Sequence, residues 1–149
     1  MHDVEVPFRV RYSETDAMGV AYHAHYLSWF ELGRTEWIRV HFAPYREFEA
    51  RGLLLPLTAS SVRYVRAARY DDALIVRARL SAFGPLRLTF VYAVRRADDG
   101  VIIAEGETHH AWVDRAFRPR PLSKAWPEAY ARLSALSEGG DTTRRRSRA

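Results

Sequence analysis

The sequence predicts an α+β fold in which one antiparallel sheet wraps around a long central helix. Three observations indicate this class: a short alternating segment near the N-terminus, a long stretch with helical periodicity, and four later strand-like segments separated by turns. An apolar helix and a one-sided sheet each have a face that must leave water, and packing one on the other buries both faces. No internal repeat and no linker divides the chain.

Length and composition fit one globular domain. The chain has 149 residues, of which 48% are hydrophobic and 28% charged, and a domain of this size buries roughly 68–70% of the surface that its unfolded chain exposes. It contains no cysteine, which excludes disulfides, cysteine nucleophiles and cysteine-ligated zinc. The apolar runs are too short to span a membrane, and the N-terminus lacks the layout of a secretory signal. We therefore expect a cytoplasmic protein without membrane insertion.

The formal net charge of +5 is partly concentrated at the C-terminus. Residues 137–149 contain four arginines and two acids among glycine, serine and threonine, a composition that cannot build a core. We predict a folded domain over residues 1–136 and a disordered basic tail over residues 137–149. Such a tail is more typical of a solvated segment than of a nucleic-acid surface, and the remaining chain has no long basic stripe, so we expect no nucleic-acid partner.

The first elements are a strand and a helix. Residues 8–12 alternate apolar and basic side chains, as in a half-buried strand. Residues 24–42 repeat apolar side chains at steps of three and four, which predicts a helix. Its buried face would carry Tyr26, Phe30, Gly33, Trp37 and Val40. Gly33 on this face predicts the close approach of a neighbouring backbone. Pro44 stops the helix or begins a short second one, which Gly52 would close.

From Gly52 onwards the pattern is that of strands. Strand-like segments cover residues 53–68, 73–82, 86–94 and 101–113, and the turn Asp98-Asp99-Gly100 before the last of them predicts a hairpin. Pro127 marks the first turn of a C-terminal helix that reaches about Ser137. His109 and His110 are neighbours in a strand and must point to opposite faces, so we assign them structural or surface roles.

The chemically dense segment is the loop between the first strand and the helix. Asp16 lies about eight residues before the helix, and His23 and His25 lie at its start. The first backbone N–H groups of a helix are unpaired and carry the positive end of its dipole, so they can stabilise a developing oxyanion. A carboxylate beside the same carbonyl can attack it or deprotonate a water that attacks it. A carboxylate and a helix terminus are enough to cleave a thioester, because its leaving thiol has a pKa of about 8.5 and needs little help from an acid.

This segment resembles the signature of the 4-hydroxybenzoyl-CoA thioesterase family of hot-dog-fold proteins, which includes the Tol–Pal-associated acyl-CoA thioesterases. The resemblance begins with Thr15 to His23, followed by Tyr26. It continues in the same order over roughly residues 6–130, in Phe30-Glu31, Arg34 to Glu36, Tyr64 to Ala67, Tyr70 to Leu74, Gly106-Glu107, Val113-Asp114 and Arg118 to Pro121. The ordered series of blocks carries the resemblance, because one Asp-x-x-Gly alone would not.

The resemblance implies a hot-dog fold and an enzyme that hydrolyses a short-chain or aromatic acyl-CoA. Asp16 falls on the catalytic aspartate, which is the nucleophile in some members and the general base in others. His23 falls where a backbone N–H polarises the thioester carbonyl, and its side chain is a second candidate. Tyr22 and Tyr26 would line the acyl pocket. The resemblance also implies a homodimer or a dimer of dimers with sites at the subunit interface, and no cofactor, since coenzyme A arrives within the substrate.

Other interpretations of the site stay open. Glu31 on the helix is a rival carboxylate, because another hot-dog branch has its catalytic glutamate there. A hot-dog dehydratase would need a histidine and an acid facing each other, such as His23 and Glu31. A third alternative is a protein that binds acyl-CoA or an acyl carrier without turnover. The pair His23-x-His25 has no third ligand nearby, so we predict no metal site.

The remaining candidates concern substrate binding. Tyr64, on a strand opposite the helix, either lines the acyl pocket or packs in the core. The phosphates of coenzyme A require cations, and the candidates are Arg63, Arg66, Arg69, Arg118, Arg120 and Lys124. Of these we assign Arg63 and Arg66 to the substrate site.

Overall fold

A computed structural model describes residues 2–137, and its elements follow the predicted order. Strand β1 (Val4–Arg9) is followed by a 3-10 turn at Tyr12–Glu14, the long helix α1 (His25–His41) and the short helix α2 (Tyr45–Ala50). Four strands come next: β2 (Leu57–Tyr64), β3 (Ala73–Phe83), β4 (Arg87–Arg96) and β5 (Ile102–Ala111). Helices α3 (Leu122–Ala125) and α4 (Pro127–Leu136) follow. The predicted disordered tail, residues 137–149, lies outside the described residues apart from Ser137.

The five strands form one antiparallel sheet in the order β1-β3-β4-β5-β2. The predicted α+β class is therefore confirmed, as is the hairpin between β4 and β5, where Gly100 has a φ of +72°. The strand bounds differ from the prediction most at β1, which ends at Arg9 and not at Tyr12, and at β2, which ends at Tyr64 and not at Ala68. β1 begins at Val4 because Val4 already pairs with Ala78 of β3. β2 is shorter than predicted because Leu54 pairs instead with Val113, beyond the end of β5.

Helix α1 packs across the inner face of the sheet through two glycines. A Cβ at Gly33 would lie 3.0 Å from the Cβ of Ala78, so the close approach predicted at Gly33 is made by side chains of β3 and not by its backbone. A Cβ at Gly106 of β5 would lie 2.6 Å from the ring of Phe30, so this position has room only for hydrogen. The Phe30 ring stacks on Tyr92, with centroids 4.4 Å apart and planes at 2°. These contacts fix the position of the helix over the centre of the sheet.

The covering of α1 is incomplete. Val40 is 58% exposed, so the prediction that it belongs to the buried face is wrong. Ile38, which widens the same predicted face, is buried, because Tyr45 of α2 and Leu55 lie beside it. Within residues 2–137, no helix combines the length and apolar character needed to cross a bilayer.

A chain of hydrogen-bonded polar side chains runs from the half-buried Arg34 of α1 across the inner face of the sheet to the buried His110. Arg34 Nη1 donates to the Tyr92 hydroxyl at 3.0 Å, and that hydroxyl shares a hydrogen bond of 2.6 Å with Thr108 Oγ1. Thr108 Oγ1 is also 2.8 Å from Nε2 of His110. Burial, together with the charge of Arg34, lowers the pKa of His110 from 6.5 to about 4. His109 points to the opposite face, where its ring contacts Thr89, as the strand period predicted.

Candidate active site

The loop that carries Asp16 is closed by hydrogen bonds within five residues. Asp16 N donates to Val20 O at 3.0 Å, and Gly19 N donates to Asp16 O at 2.9 Å. The side-chain Oδ1 of Asp16 accepts a hydrogen bond of 2.8 Å from Met18 N. The turn is possible because Gly19 has a φ of +81°. The loop backbone therefore orients the carboxylate and leaves its Oδ2 without a donor among residues 2–137.

The segment between this loop and α1 presents free backbone donors. Tyr22 N donates to Glu14 O at 2.8 Å, and His25 N donates to Tyr22 O at 3.0 Å. The intervening N–H groups of His23 and Ala24 have no acceptor in the part of the chain that the structure describes. These two groups lie at the positive end of the α1 dipole, where a negative oxygen is stabilised.

Asp16 and His23 border one open cavity of about 290 Å³. Its other lining residues are Met18, Val20, Ala21, Tyr26, Tyr64, Val65, Arg66 and Ala67. Five of the residues predicted for the site, including Tyr26, Tyr64 and Arg66, thus meet around one space. Tyr26 is 3% exposed, and its ring lies edge-on to that of Tyr64 with centroids 4.9 Å apart. Burial raises the pKa of the Tyr26 hydroxyl above its usual value.

Two predicted residues lie elsewhere. Tyr22 does not line the cavity; it is partly exposed, and its ring contacts that of His23 with centroids 4.2 Å apart. Arg63 lines a different, open depression together with Glu105 and Glu107. Side chains alternate along a strand, so Arg63 points away from the face that Tyr64 occupies on the same strand.

The other cationic candidates are also outside the lining of this cavity. Arg118 Nε lies 3.3 Å from Oδ2 of Asp114, and Arg120 Nη1 donates to the backbone carbonyl of Arg51 at 2.8 Å. Both contacts stabilise the chain after β5. Arg69 lies nearest to the loop, with Nη1 3.5 Å from Gly19 O.

Glu31 does not share the cavity of Asp16. It lines a separate cavity of about 110 Å³ with Arg34, Thr35, Ile38, Tyr45 and Leu55. In the part of the chain that the structure describes, His23 and Glu31 therefore line two different cavities, whereas a dehydratase would require them to face each other. Among residues 2–137, no group of three or more histidine, aspartate or glutamate side chains could hold a metal ion.

The sequence analysis did not predict four apolar residues that line the Asp16 cavity. Met18, Val20, Val65 and Ala67 all border the cavity. They occur in irregular segments, where neither a helical nor a strand period predicts which way a side chain points. The available indication was that all four lie within blocks that carry the family resemblance.

Comparison with known proteins identifies the family. A family model described as the thioesterase-like superfamily matches residues 10–133, and the chain belongs to this superfamily. It is 32% identical over 120 residues to the acyl-CoA thioester hydrolase YbgC of Escherichia coli O6:H1, covering 80% of this chain and 89% of the relative. It is 30% identical over 129 residues to YneP of Bacillus subtilis (strain 168), covering 86% and 93%.

A solved structure agrees with these relatives. The DHNA-CoA thioesterase of Staphylococcus aureus superposes with a TM-score of 0.84 at 29% sequence identity, covering 90% of this chain and 92% of that one. The comparisons therefore confirm the hot-dog fold and the predicted class of enzyme, a thioester hydrolase.

Proposed function

We propose that the protein hydrolyses the thioester of an acyl-CoA and releases a carboxylic acid and free coenzyme A. One observation carries the proposal: the Asp16 carboxylate borders the same cavity as His23, where α1 begins with unpaired backbone N–H groups. A thioester carbonyl in this cavity would have a carboxylate on one side and oxyanion donors on the other. The names of relatives such as YbgC support the choice of an acyl-CoA as the substrate.

Asp16 can act in two ways, and the proposal includes both. As a general base it takes a proton from water, and the water oxygen attacks the thioester carbon. As a nucleophile it attacks the carbon itself, coenzyme A leaves as a thiolate, and water hydrolyses the resulting acyl anhydride. In both routes the carbonyl oxygen becomes an oxyanion held by the N–H groups of His23 and Ala24, and the carbon–sulfur bond breaks. The imidazole of His23 is a second candidate for proton transfer.

The size and lining of the cavity favour a short-chain or aromatic acyl group as the substrate's acyl part. Its volume of about 290 Å³ is at the lower end of the range typical of ligand pockets. Tyr26, Tyr64 and Val65 offer it apolar surface. The 4-hydroxybenzoyl-CoA and Tol–Pal-associated branch, which the loop motif resembles, is the part of the superfamily to which we assign the chain. We further assign Arg66, at the edge of this cavity, to the phosphates of coenzyme A.

We also propose a homo-oligomer, either a dimer or a dimer of dimers, in the cytoplasm. β2 is an edge strand of the sheet, so one row of its backbone N–H and C=O groups is unpaired. Three apolar side chains along this edge are between 40% and 49% exposed: Leu57, Tyr64 and Val65. Pairing of two β2 edges would cover these side chains and bring the partner subunit close to the cavity of Asp16.

The test is thiol release from a panel of short, long and aromatic acyl-CoAs. Asp16→Asn keeps the size of the side chain and removes its charge and nucleophile. We expect turnover to fall at least about a hundredfold. The matched control is Glu31→Gln, which makes the same chemical change in the other cavity and should leave turnover within about threefold of native. Turnover that survives in Asp16→Asn would overturn the role of Asp16 and move the chemistry to Glu31 or to another group, and no turnover by native protein would favour acyl-CoA binding without hydrolysis.

A further inference from the structure

Glu14, two residues before Asp16, is held at three points. Its Oε1 accepts a hydrogen bond of 2.8 Å from Arg11 N at the start of the loop. Its Oε2 accepts one of 3.0 Å from the indole Nε1 of Trp29 in α1. Its backbone carbonyl accepts the bond from Tyr22 N at the end of the loop. One residue therefore connects both ends of the Asp16 loop to the helix.

Trp29 is a rigid partner for this contact. Its side chain is 2% exposed, and its ring packs against Phe8 and Tyr26 with centroids 5.2 and 4.4 Å apart. Tyr26 is itself a wall of the Asp16 cavity. A buried indole N–H requires an acceptor, and a carboxylate accepts more strongly than a neutral oxygen. The hydrogen bond to Trp29 thus anchors Glu14 to α1, the helix at whose start the proposed oxyanion donors lie.

We propose that Glu14 is a positioning residue that sets the separation between the Asp16 carboxylate and the N–H groups at the start of α1. The inference rests on the proposed function. Glu14 does not line the cavity, so it acts through the backbone of the loop rather than on substrate. Positioning matters because a displacement of about 1 Å at a reacting centre can cost about a hundredfold in rate.

Two variants break the contact from opposite sides. Glu14→Gln keeps the volume but sets an amide N–H₂ against one of the two donors, Arg11 N–H or Trp29 Nε1–H. Trp29→Phe removes the indole donor and keeps an aromatic ring. The matched control is Trp37→Phe: Trp37 is also buried in α1, but its Nε1 donates to His2 O at the opposite end of the helix.

The first measurement is steady-state kinetics well below the melting temperature. We expect kcat to fall between tenfold and a hundredfold in both variants, with KM within about threefold of native. The double variant should lose no more kcat than the single variant with the larger loss, because both changes break the same connection. The control should keep native kcat. A loss confined to KM, or an equal loss of kcat in Trp37→Phe, would overturn the inference.

The second measurement does not depend on activity. Hydrogen exchange of the amides in residues 11–22 should accelerate in Glu14→Gln and Trp29→Phe and stay native in Trp37→Phe. Unchanged exchange in Glu14→Gln would overturn the inference even if kcat fell. If the native protein hydrolysed no acyl-CoA, the proposed function would fail, and accelerated exchange would still support the role of Glu14 in holding the loop.

Discussion

The hydroxyl of Tyr64 donates a hydrogen bond of 3.0 Å to the backbone carbonyl of His23, across 41 positions of the chain. This carbonyl belongs to the peptide unit that links His23 to Ala24. Since the unit is planar and trans, fixing its oxygen also fixes the direction of the Ala24 N–H on its other side. An edge-strand side chain thereby orients one of the two free donors at the start of α1.

Removing this hydroxyl should weaken catalysis without weakening binding. We expect Tyr64→Phe to lower kcat about two- to tenfold, because the net value of one such hydrogen bond is about 0.5–1.5 kcal/mol. KM should change less than twofold, since the ring remains in the cavity. Tyr70→Phe is the control, because Tyr70 is exposed and does not line the cavity. Equal kcat values in both variants would contradict the proposed role.

The two arginines assigned to substrate binding should behave differently. Arg66→Ala removes a cation at the edge of the cavity, and we expect KM for an acyl-CoA to rise about three- to tenfold at low ionic strength. The effect should shrink as salt is added, because exposed charges are screened. Arg63→Ala, on the other face of β2, should leave KM within about twofold. A larger effect at Arg63 would place the phosphates elsewhere.

The contact between Phe30 and Gly106 predicts a strong effect on stability. Gly106→Ala adds a methyl group that would meet the backbone oxygen of Ser61 in β2 and lie 2.6 Å from the ring of Phe30, and overpacking of this kind costs about 1–3 kcal/mol. Gly84→Ala is the control, because its added Cβ would meet only an ordinary contact of 3.7 Å. Urea unfolding of both variants measures the difference. Equal midpoints would mean that both the β2 backbone at Ser61 and the Phe30 ring yield to the added methyl group at little cost.

His110 should make the fold sensitive to acid. Its pKa is about 4 in the folded protein and 6.5 without burial, so between these values the unfolded chain binds a proton that the folded chain does not. The free energy of unfolding that depends on neutral His110 is therefore fully present above pH 6.5. It is lost as the pH is lowered towards 4, by roughly 3 kcal/mol in total.

The comparison of two neighbouring histidines checks this expectation. Urea unfolding at pH 7.0, 5.5 and 4.5 should give a flatter pH dependence for His110→Gln than for native protein. His109→Gln, on the outer face, should keep the native dependence. A native slope in His110→Gln would assign the acid sensitivity to other groups.

Local patterns predicted the order of the elements because each period reports which side chains share a face. The same periods do not report what covers that face. Val40 has the right spacing for the buried side of α1, but α2, which covers the last turn of this helix, lies beside Ile38. Alternation along β2 could have separated Arg63 from Tyr64, whereas Arg66 lies past the end of the strand, where alternation no longer applies.

The candidate site divides in the same way. Asp16 and His23 were predicted because a motif and the polarity of a helix terminus are local properties of the chain. The link from Glu14 to Trp29 was not predicted, because it joins a loop to a helix through two side chains whose meeting depends on the tertiary structure. The surroundings of His110 likewise depend on the tertiary structure, because its ring meets Leu55 and Phe90, which lie far from it along the chain.

Backbone groups of the Asp16 loop hold this residue in place: Met18 N donates to the carboxylate, Gly19 N donates to Asp16 O, and Val20 O accepts from Asp16 N. Side chains of Met18, Val20, Tyr26 and Val65 shape the cavity. In Met18 and Val20, backbone atoms thus hold the proposed reactive group, while the side chains form walls that would select an acyl group. Exchanging a wall side chain would redirect selectivity and spare the chemistry. Such a scaffold can diversify its substrates by single substitutions, and libraries that vary these walls while keeping Gly19 would exploit that freedom.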